Sequence, residues 1–416
     1  MARRKTIAER KRERDKSAAN TSGGRTIKDA TDKLIADINR RLGGSGHVFR
    51  GGEIEKREYK RRPSGIPSID YITNGGLPRP GLVELGGEYS CGKTTAALHI
   101  CANAQKTEPH LGIGWVALEP FSKTWARENG LFIPFCEERG DRLADATETE
   151  LARMEKDGIK DPYKEICPFV LIDDMRGDAS LDAALDMLKS NLFSVIVVDS
   201  LGVAKPTKWL EESDVQSSGD FPREARMIND YTTRALLAIN ARYDENNQVS
   251  KDGNRPLRTT LIHINHIITN IGTQAHSPWK KQVIKGGEGQ KHNHHCIIFL
   301  WKGKPLYVPV PGGKKYIYGQ EVNLIAIKSK IGPPYLQGSI EMIFQPYDRH
   351  LKGDINLARD AATLGLLSGL ISRSGAWFEV KEERFQGRAN LEEHLSSNPG
   401  VVKWLAEESI KRLRNV

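Results

Sequence analysis

Nine residues, Gly87-Glu88-Tyr89-Ser90-Cys91-Gly92-Lys93-Thr94-Thr95, have the types and spacing to hold a polyphosphate. Glycines at 87 and 92 let backbone N–H groups close around phosphate oxygens where a Cβ would intrude. An ammonium at Lys93 suits the outer two phosphates, and the Thr94 hydroxyl suits a Mg²⁺ ion riding on them. Such a loop works only between a strand and a helix. The apolar run Leu82-Val83-Glu84-Leu85 and the helix-forming residues 95–102 predict that context. The helix N-terminus then adds a fixed partial positive charge. Cys91, inside the loop, reads first as a small filler.

Three further strand-like runs end in groups able to act on a phosphate. Val195-Ile196-Val197-Val198-Asp199 places an acid where it can hold Mg²⁺ through water. Gly114-Trp115-Val116-Ala117-Leu118-Glu119 ends in a carboxylate that can orient and polarise an attacking water. Leu261-Ile262-His263-Ile264-Asn265-His266 offers His266 as a sensor of the outermost phosphate, whereas His263 suits the core. Consecutive residues entering a strand point to opposite faces, so His292-Asn293-His294-His295-Cys296 does not read as a zinc site.

These groups must be set by a sheet. Strands are expected over 113–118, 168–173, 194–198, 259–265 and 296–301, alternating with helical stretches, which predicts an α/β core with a mostly parallel sheet. Ahead of it, residues 28–43 read as an amphipathic helix with Ala30, Leu34, Ile35, Ile38 and Leu42 on one face. That face packs either on a neighbouring subunit or on its own core. Beyond residue 345, helical stretches 354–371 and 390–413 flank a small strand at Gly375–Val380, giving a compact α+β tail. Residues 137–166 read as a charged surface insertion and 244–256 as a polar loop.

The chain of 416 residues carries a net charge of +9, which leans towards an anionic partner. Residues 1–25 hold nine Lys/Arg and three Asp/Glu, so residues 1–27 read as a disordered basic arm, either seeking nucleic acid or solubilising the chain. No apolar run is long enough to span a bilayer, and no apolar segment follows the basic start as a secretory signal requires. Five cysteines without a C-x-x-C pair fit a reduced, cytoplasmic setting. Residues 269–291 are glycine-rich and basic, with Trp279, Lys280, Lys281, Lys285, Gly286, Gly287 and Lys291. Residues 207–222 form a second candidate segment, with Lys208, Trp209 and Phe221 but also four acids. Cations beside an aromatic ring suit single-stranded nucleic acid; surface connections are the plainer reading.

With these motifs in place the chain resembles the bacterial RecA recombinase family, in a divergent form such as large phages carry. The resemblance spans about residues 28–416. It rests on SGIPSIDYITNGGLPRPGLVELGGEYSCGKTT, VIVVDSLGVAKP, HINHIITNIGT with a later KGG, IAIKSKIGPPY and GAWFEVKEERFQGRANLEEHL. It implies a RecA-type P-loop ATPase core over 64–345, a subunit-docking segment over 28–63 and a small C-terminal domain over 346–416. It also implies ATP and Mg²⁺ as cofactors, single- and double-stranded DNA as partners, and a helical filament with ATP between subunits. A single-strand-binding protein or loader would assist. By motif position the resemblance makes Glu119 the catalytic glutamate and Asp199 the acid beside the metal. Lys328 and Lys330 become the paired lysines reaching a neighbour's γ-phosphate, Trp125 the aromatic beside adenine, and Arg226 a DNA contact. His266 departs from the family's glutamine at this place, and the family's long acidic tail has no counterpart here.

The expected activity is therefore DNA-stimulated ATP hydrolysis coupled to filament formation, homologous pairing and strand exchange. A hexameric helicase on the same core and an ATP-gated, non-catalytic DNA scaffold are the alternatives.

Overall fold

The computed structural model describes residues 27–41, 60–133, 155, 169–208, 221–241, 257–269, 282–285 and 288–414. The chain divides into two units, one of residues 1–58 with 242–255 and the other of 59–241 with 256–416. In the first unit, α1 (Ile27–Arg41) forms where the amphipathic pattern predicts it, and its Leu34 is 58% exposed.

The second unit is built on a large sheet whose strands are β3 (Gly81–Gly87), β4 (Gly112–Ala117), β5 (Phe169–Asp173), β6 (Phe193–Asp199), β7 (Thr260–Thr269), β9 (Cys296–Val310), β10 (Lys314–Ser329) and β11 (Gln337–Ile343). Their spatial order is β11-β10-β9-β3-β7-β6-β4-β5. The six from β9 to β5 run parallel, and β10 and β11 close one side antiparallel. The short β8 (Gln282–Ile284) pairs with the end of β7, while β1 (Lys60–Arg62) and β2 (Leu77–Arg79) form a separate pair. β3 and β6 are buried at every position, as strands covered on both faces must be.

Helices on the sheet are α2 (Pro67–Ile72), α3 (Lys93–Thr107), α4 (Lys123–Glu128), α5 (Gly177–Ser190), α6 (Phe221–Asn240) and α7 (Glu288–Asn293). The period-2 alternation of the strands splits the core. Val83, Leu85, Trp115, Val197, Ile262 and Ile264 pack with Ala96, Ala97 and Ile100 of α3. Glu84, His263 and Asn265 alternate with them and face the other way. The tail folds as α8 (Leu357–Leu367), the antiparallel sheet β12 (Ser372–Ser374), β13 (Trp377–Val380) and β14 (Glu383–Gln386), then α9 (Arg388–Ser397) and α10 (Pro399–Arg414). It has its own core around Phe378, Leu391, Leu395 and Leu405.

Each expected strand is present, within two residues at its start. Three features differ from expectation. β9 continues to Val310 and pairs with a long β10, because the hairpin beyond Trp301 is largely exposed and its polar and apolar residues mix. The 390–413 stretch is two helices, since Pro399 lacks an N–H and starts a new one. The tail strand is one of three. The 137–166 insertion apart from residue 155, the 244–256 loop and all but Ile27 of the basic arm lie outside the described residues. No helix among the described residues is long and apolar enough to cross a membrane.

Candidate active site

The sheet order fixes the site before any side chain is considered. β3, which feeds the phosphate loop, lies beside β7, then β6, then β4. Being parallel, these strands deliver Gly87, His266, Asp199 and Glu119 to one edge, the carboxyl edge where ligands bind in open α/β sheets.

The loop geometry meets what a phosphate requires. Gly92 has φ +88°, left-handed, immediately before α3 begins at Lys93. A Cβ on Gly92 would strike Met342, and one on Gly87 (φ +155°) would strike the Leu300 carbonyl. The loop is therefore seated against β9 and β11 by close backbone approach. The buried Lys93 ammonium donates to the carbonyls of Gly87 (3.1 Å) and Glu88 (2.6 Å), which keeps it within the loop's curve. Cys91 is buried and its thiol is pushed up by burial, so it is a filler rather than a reactive group. Tyr89 is exposed, with the Lys302 ammonium 4.2 Å from its ring centroid.

The residues also fit a magnesium ion. Thr94 donates its hydroxyl to Asp199 Oδ2 at 3.0 Å, which places a hydroxyl and a carboxylate side by side. Burial, and then the Glu119 carboxylate nearby, push Asp199 up to about 6. A divalent cation is the group that would relieve both effects. Thr94 and Asp199 would hold it.

Glu119 follows β4 and is tied to the end of β6, its N–H donating to the Asp199 carbonyl at 3.1 Å. Its Oε1 lies 2.6 Å from His266 Nε2 and also accepts from the Ser200 hydroxyl. The His266 hydrogen bond first, and then Ser200 and the charges of His266 and Lys93, hold Glu119 below the ordinary carboxylate range despite its partial burial. Both donors use Oε1, so Oε2 is the atom that can take hold of a water. His266 thus stands against Glu119, as its strand-end position allows, while His263 is fully buried in the core as expected.

Trp125 opens α4, where the Ser122 side chain caps the helix by accepting its N–H at 3.1 Å. The Lys352 ammonium lies 5.7 Å from the Trp125 ring centroid and pairs with Glu128 at 2.9 Å. His99 of α3 meets the Gly353 carbonyl at 2.7 Å, so the segment entering the tail domain borders the loop helix.

Lys328 and Lys330 are not brought to this site within one chain. β10 is separated from β3 by β9, and both ammonium groups turn to α7. Lys328 donates to the Lys291 carbonyl and Lys330 to that of His292 at 2.8 Å, capping that helix's C-terminal end. Burial lowers Lys328 to about 8.

Of the expected nucleic-acid contacts, Arg226 is exposed on α6. Lys285 is half-buried behind β8, its N–H donating to the His266 carbonyl at 2.9 Å and its ammonium 3.9 Å from Glu224 of α6. Trp209, Trp279, Lys280, Lys281, Gly286 and Gly287 lie outside the described residues. Sequence reasoning missed Ser200, Glu224, Asn265 and Glu84. Ser200 had one signal, its place directly after Asp199. His294 and His295 diverge: His294 turns to His263, while His295 Nδ1 accepts the Leu82 N–H at 3.1 Å.

A family model of the RecA N-terminal domain matches residues 29–116, and one of the RecA C-terminal domain matches residues 361–413. Protein RecA of Petrotoga mobilis is 25% identical over 406 residues, covering 96% of this chain and 92% of that protein. Protein RecA of Chloroflexus aurantiacus is 27% identical over 376 residues, covering 88% and 87%. A crystal structure of the RadB recombinase aligns with a TM-score of 0.39 at 17% identity, over 67% of this chain and 94% of that one.

Proposed function

We propose, from the similarity of the chain to RecA proteins along almost its whole length, that it is a DNA-dependent ATPase that forms helical filaments on single-stranded DNA and exchanges strands with homologous duplex. The observation that carries the reading is the division of labour between strands. Lys93, Thr94, Asp199 and Glu119 meet at one edge of the sheet, while Lys328 and Lys330 lie two strands away from the loop strand. A site that Lys328 and Lys330 of its own chain do not reach is completed by those of a neighbouring copy, head to tail, as an arginine finger completes others. The exposed Leu34 on α1 supports the same assembly by offering an apolar face to a neighbour.

In this reading the loop's N–H groups and Lys93 bind the triphosphate. Bound Mg²⁺ supplies neutralisation of phosphate charge. Glu119 stays ionised under the hold of His266 and Ser200 and orients water through Oε2. The neighbour's Lys328 and Lys330 stabilise charge on the outermost phosphate as it leaves. Arg226 and the segments 207–222 and 269–291 hold DNA, and the setting is cytoplasmic.

The test is ATP hydrolysis with and without single-stranded DNA, alongside electron microscopy of the same mixtures. DNA-stimulated turnover with extended helical filaments supports the proposal. Closed rings that unwind duplex indicate a helicase. DNA-bound filaments without turnover indicate a scaffold.

A further inference from the structure

The sheet face turned away from α3 carries polar groups that neither bind phosphate nor touch Glu119. Glu84 of β3 and His263 of β7 stand opposite each other in register, both fully buried, with Asn265 two places on. Apolar residues would be cheaper here, and Leu82 of β3, Leu261 of β7 and Ile196 and Val198 of the adjacent β6 are apolar and equally buried.

The hydrogen bonds have a defined sense. The Gln290 carbonyl can only accept, so His294 Nδ1, 2.9 Å away, donates to it. Neutral His294 must then accept at Nε2, from His263 Nδ1–H at 2.7 Å. His263 in turn accepts at Nε2 from the Tyr231 hydroxyl at 3.1 Å. Burial keeps both rings neutral by lowering their pKa, His294 to about 4. This chain joins α6, which follows segment 207–222, with β7 and α7, which bound segment 269–291.

A second set leads from there to the catalytic carboxylate. Glu84 Oε2 lies 3.7 Å from His294 Nδ1, and Glu84 Oε1 accepts from Asn265 Nδ2 at 2.8 Å. The same Asn265 amide also donates to the Lys285 carbonyl at 2.8 Å, and Asn265 Oδ1 accepts the His266 N–H at 2.8 Å. Gln290 closes the loop by donating to the Lys285 carbonyl. His266 then meets Glu119. Among the described residues Glu84 Oε2 has no hydrogen-bond partner, so the network is incomplete at the atom nearest His294.

We propose that His263, His294, Glu84 and Asn265 are positioning residues that transmit the placement of α7 to the His266–Glu119 pair, and so set how strongly DNA stimulates hydrolysis. The inference rests on the proposed DNA-dependent ATPase activity. A shift of α7 moves Gln290 and His294, and the shared Asn265 amide carries that shift to the backbone holding His266. α7 also bears the carbonyls that hold Lys328 and Lys330, so lysines that leave for a neighbour's phosphate disturb the same helix.

The experiment compares wild type with His294→Phe, His294→Gln and the double variant His263→Phe/His294→Phe. It measures kcat with and without single-stranded DNA, KM for ATP, affinity for a fluorescent ATP analogue, and Tm. His294→Phe is expected to lose about tenfold of DNA-stimulated kcat with KM and analogue affinity within about twofold. His294→Gln, which can donate to Gln290 and accept from His263, regains most of it. In the double variant the unpaired His263 N–H of the single variant is replaced by an unpaired Tyr231 hydroxyl, which can rotate, and this variant too loses the response. Stimulation retained within about twofold in the double variant overturns the inference. So does a loss in which kcat, analogue affinity and Tm fall together while KM rises. A wild type that hydrolyses ATP without any response to DNA overturns the proposed function, and this inference with it.

Discussion

Asp360 of α8 is a buried acid that pins the tail domain to the core, and Asp360→Asn tests how. Its Oδ2 accepts the Ser68 N–H of α2 at 2.9 Å and its Oδ1 accepts the Ser68 hydroxyl. Burial pushes its pKa up from 3.8 to about 7, against the pull of the Ser68 hydrogen bonds. The folded chain therefore binds this proton more tightly than the unfolded one. The resulting stability is fully present below the unfolded value of 3.8 and is lost as pH rises through about 7. Across the whole window that amounts to about 4 kcal/mol, and between about pH 5.5 and about pH 8.5 to about 2 kcal/mol. Asparagine mimics the protonated acid. Its carbonyl accepts the Ser68 N–H, its amide donates to the Ser68 hydroxyl, and that hydroxyl turns to the Ser339 carbonyl at 3.3 Å. Urea unfolding of both proteins at these two pH values isolates Asp360, because the other titrating groups, Asp70 and Glu84 among them, are common to both. Wild type is expected to lose about 2 kcal/mol more than the variant on going to high pH. Equal losses in the two proteins would refute the reasoning.

Glu119→Gln is expected to lower DNA-stimulated kcat by about 10² to 10⁴ while leaving binding of a fluorescent ATP analogue intact, as measured by stopped-flow turnover and titration. A glutamine variant with normal turnover removes Glu119 from the mechanism. Gly87→Ala drives a Cβ into the Leu300 carbonyl, so Tm falls and analogue binding is lost; the loss is about 2 kcal/mol or more in urea unfolding. Chains carrying Lys328→Ala/Lys330→Ala and chains carrying Glu119→Gln are each expected to be inactive alone. Mixed in equal amounts they regain activity at about a quarter of the interfaces, because one in four joins an intact Glu119 to intact lysines. Absence of recovery in co-assembled filaments argues against action between subunits.

The phosphate loop was legible because its chemistry is contiguous: glycines, Lys93 and Thr94 are neighbours in sequence and need only a strand before and a helix after. Asp199 and Glu119 were legible as acids ending apolar runs, since parallel strands deliver such ends to one edge. The Glu84–Asn265 pair was not, because it depends on the lateral register of β3 and β7, strands some 181 residues apart in the chain. His294 was hidden for the same reason, its partner His263 lying 31 residues away on β7. Ser200 was hidden in plain view, its role set by how the chain turns after β6. The β9–β10 hairpin escaped because outside the core a strand no longer needs alternating polarity. Pro399 was a visible break within the last helical stretch, and the structure places a helix start there.

The two lysines that cap α7 give any head-to-tail row of these chains unlike ends. An interior subunit both lends its lysines and receives a pair. At one terminus a loop site receives none, and at the other a pair of lysines stays folded back on its own helix. Turnover at the first terminus would lag behind the interior, and the second would keep its helix capped at no cost. A row built this way would have a direction in time as well as in space: subunits would be added to and lost from its two ends at different rates, although every subunit has the same sequence.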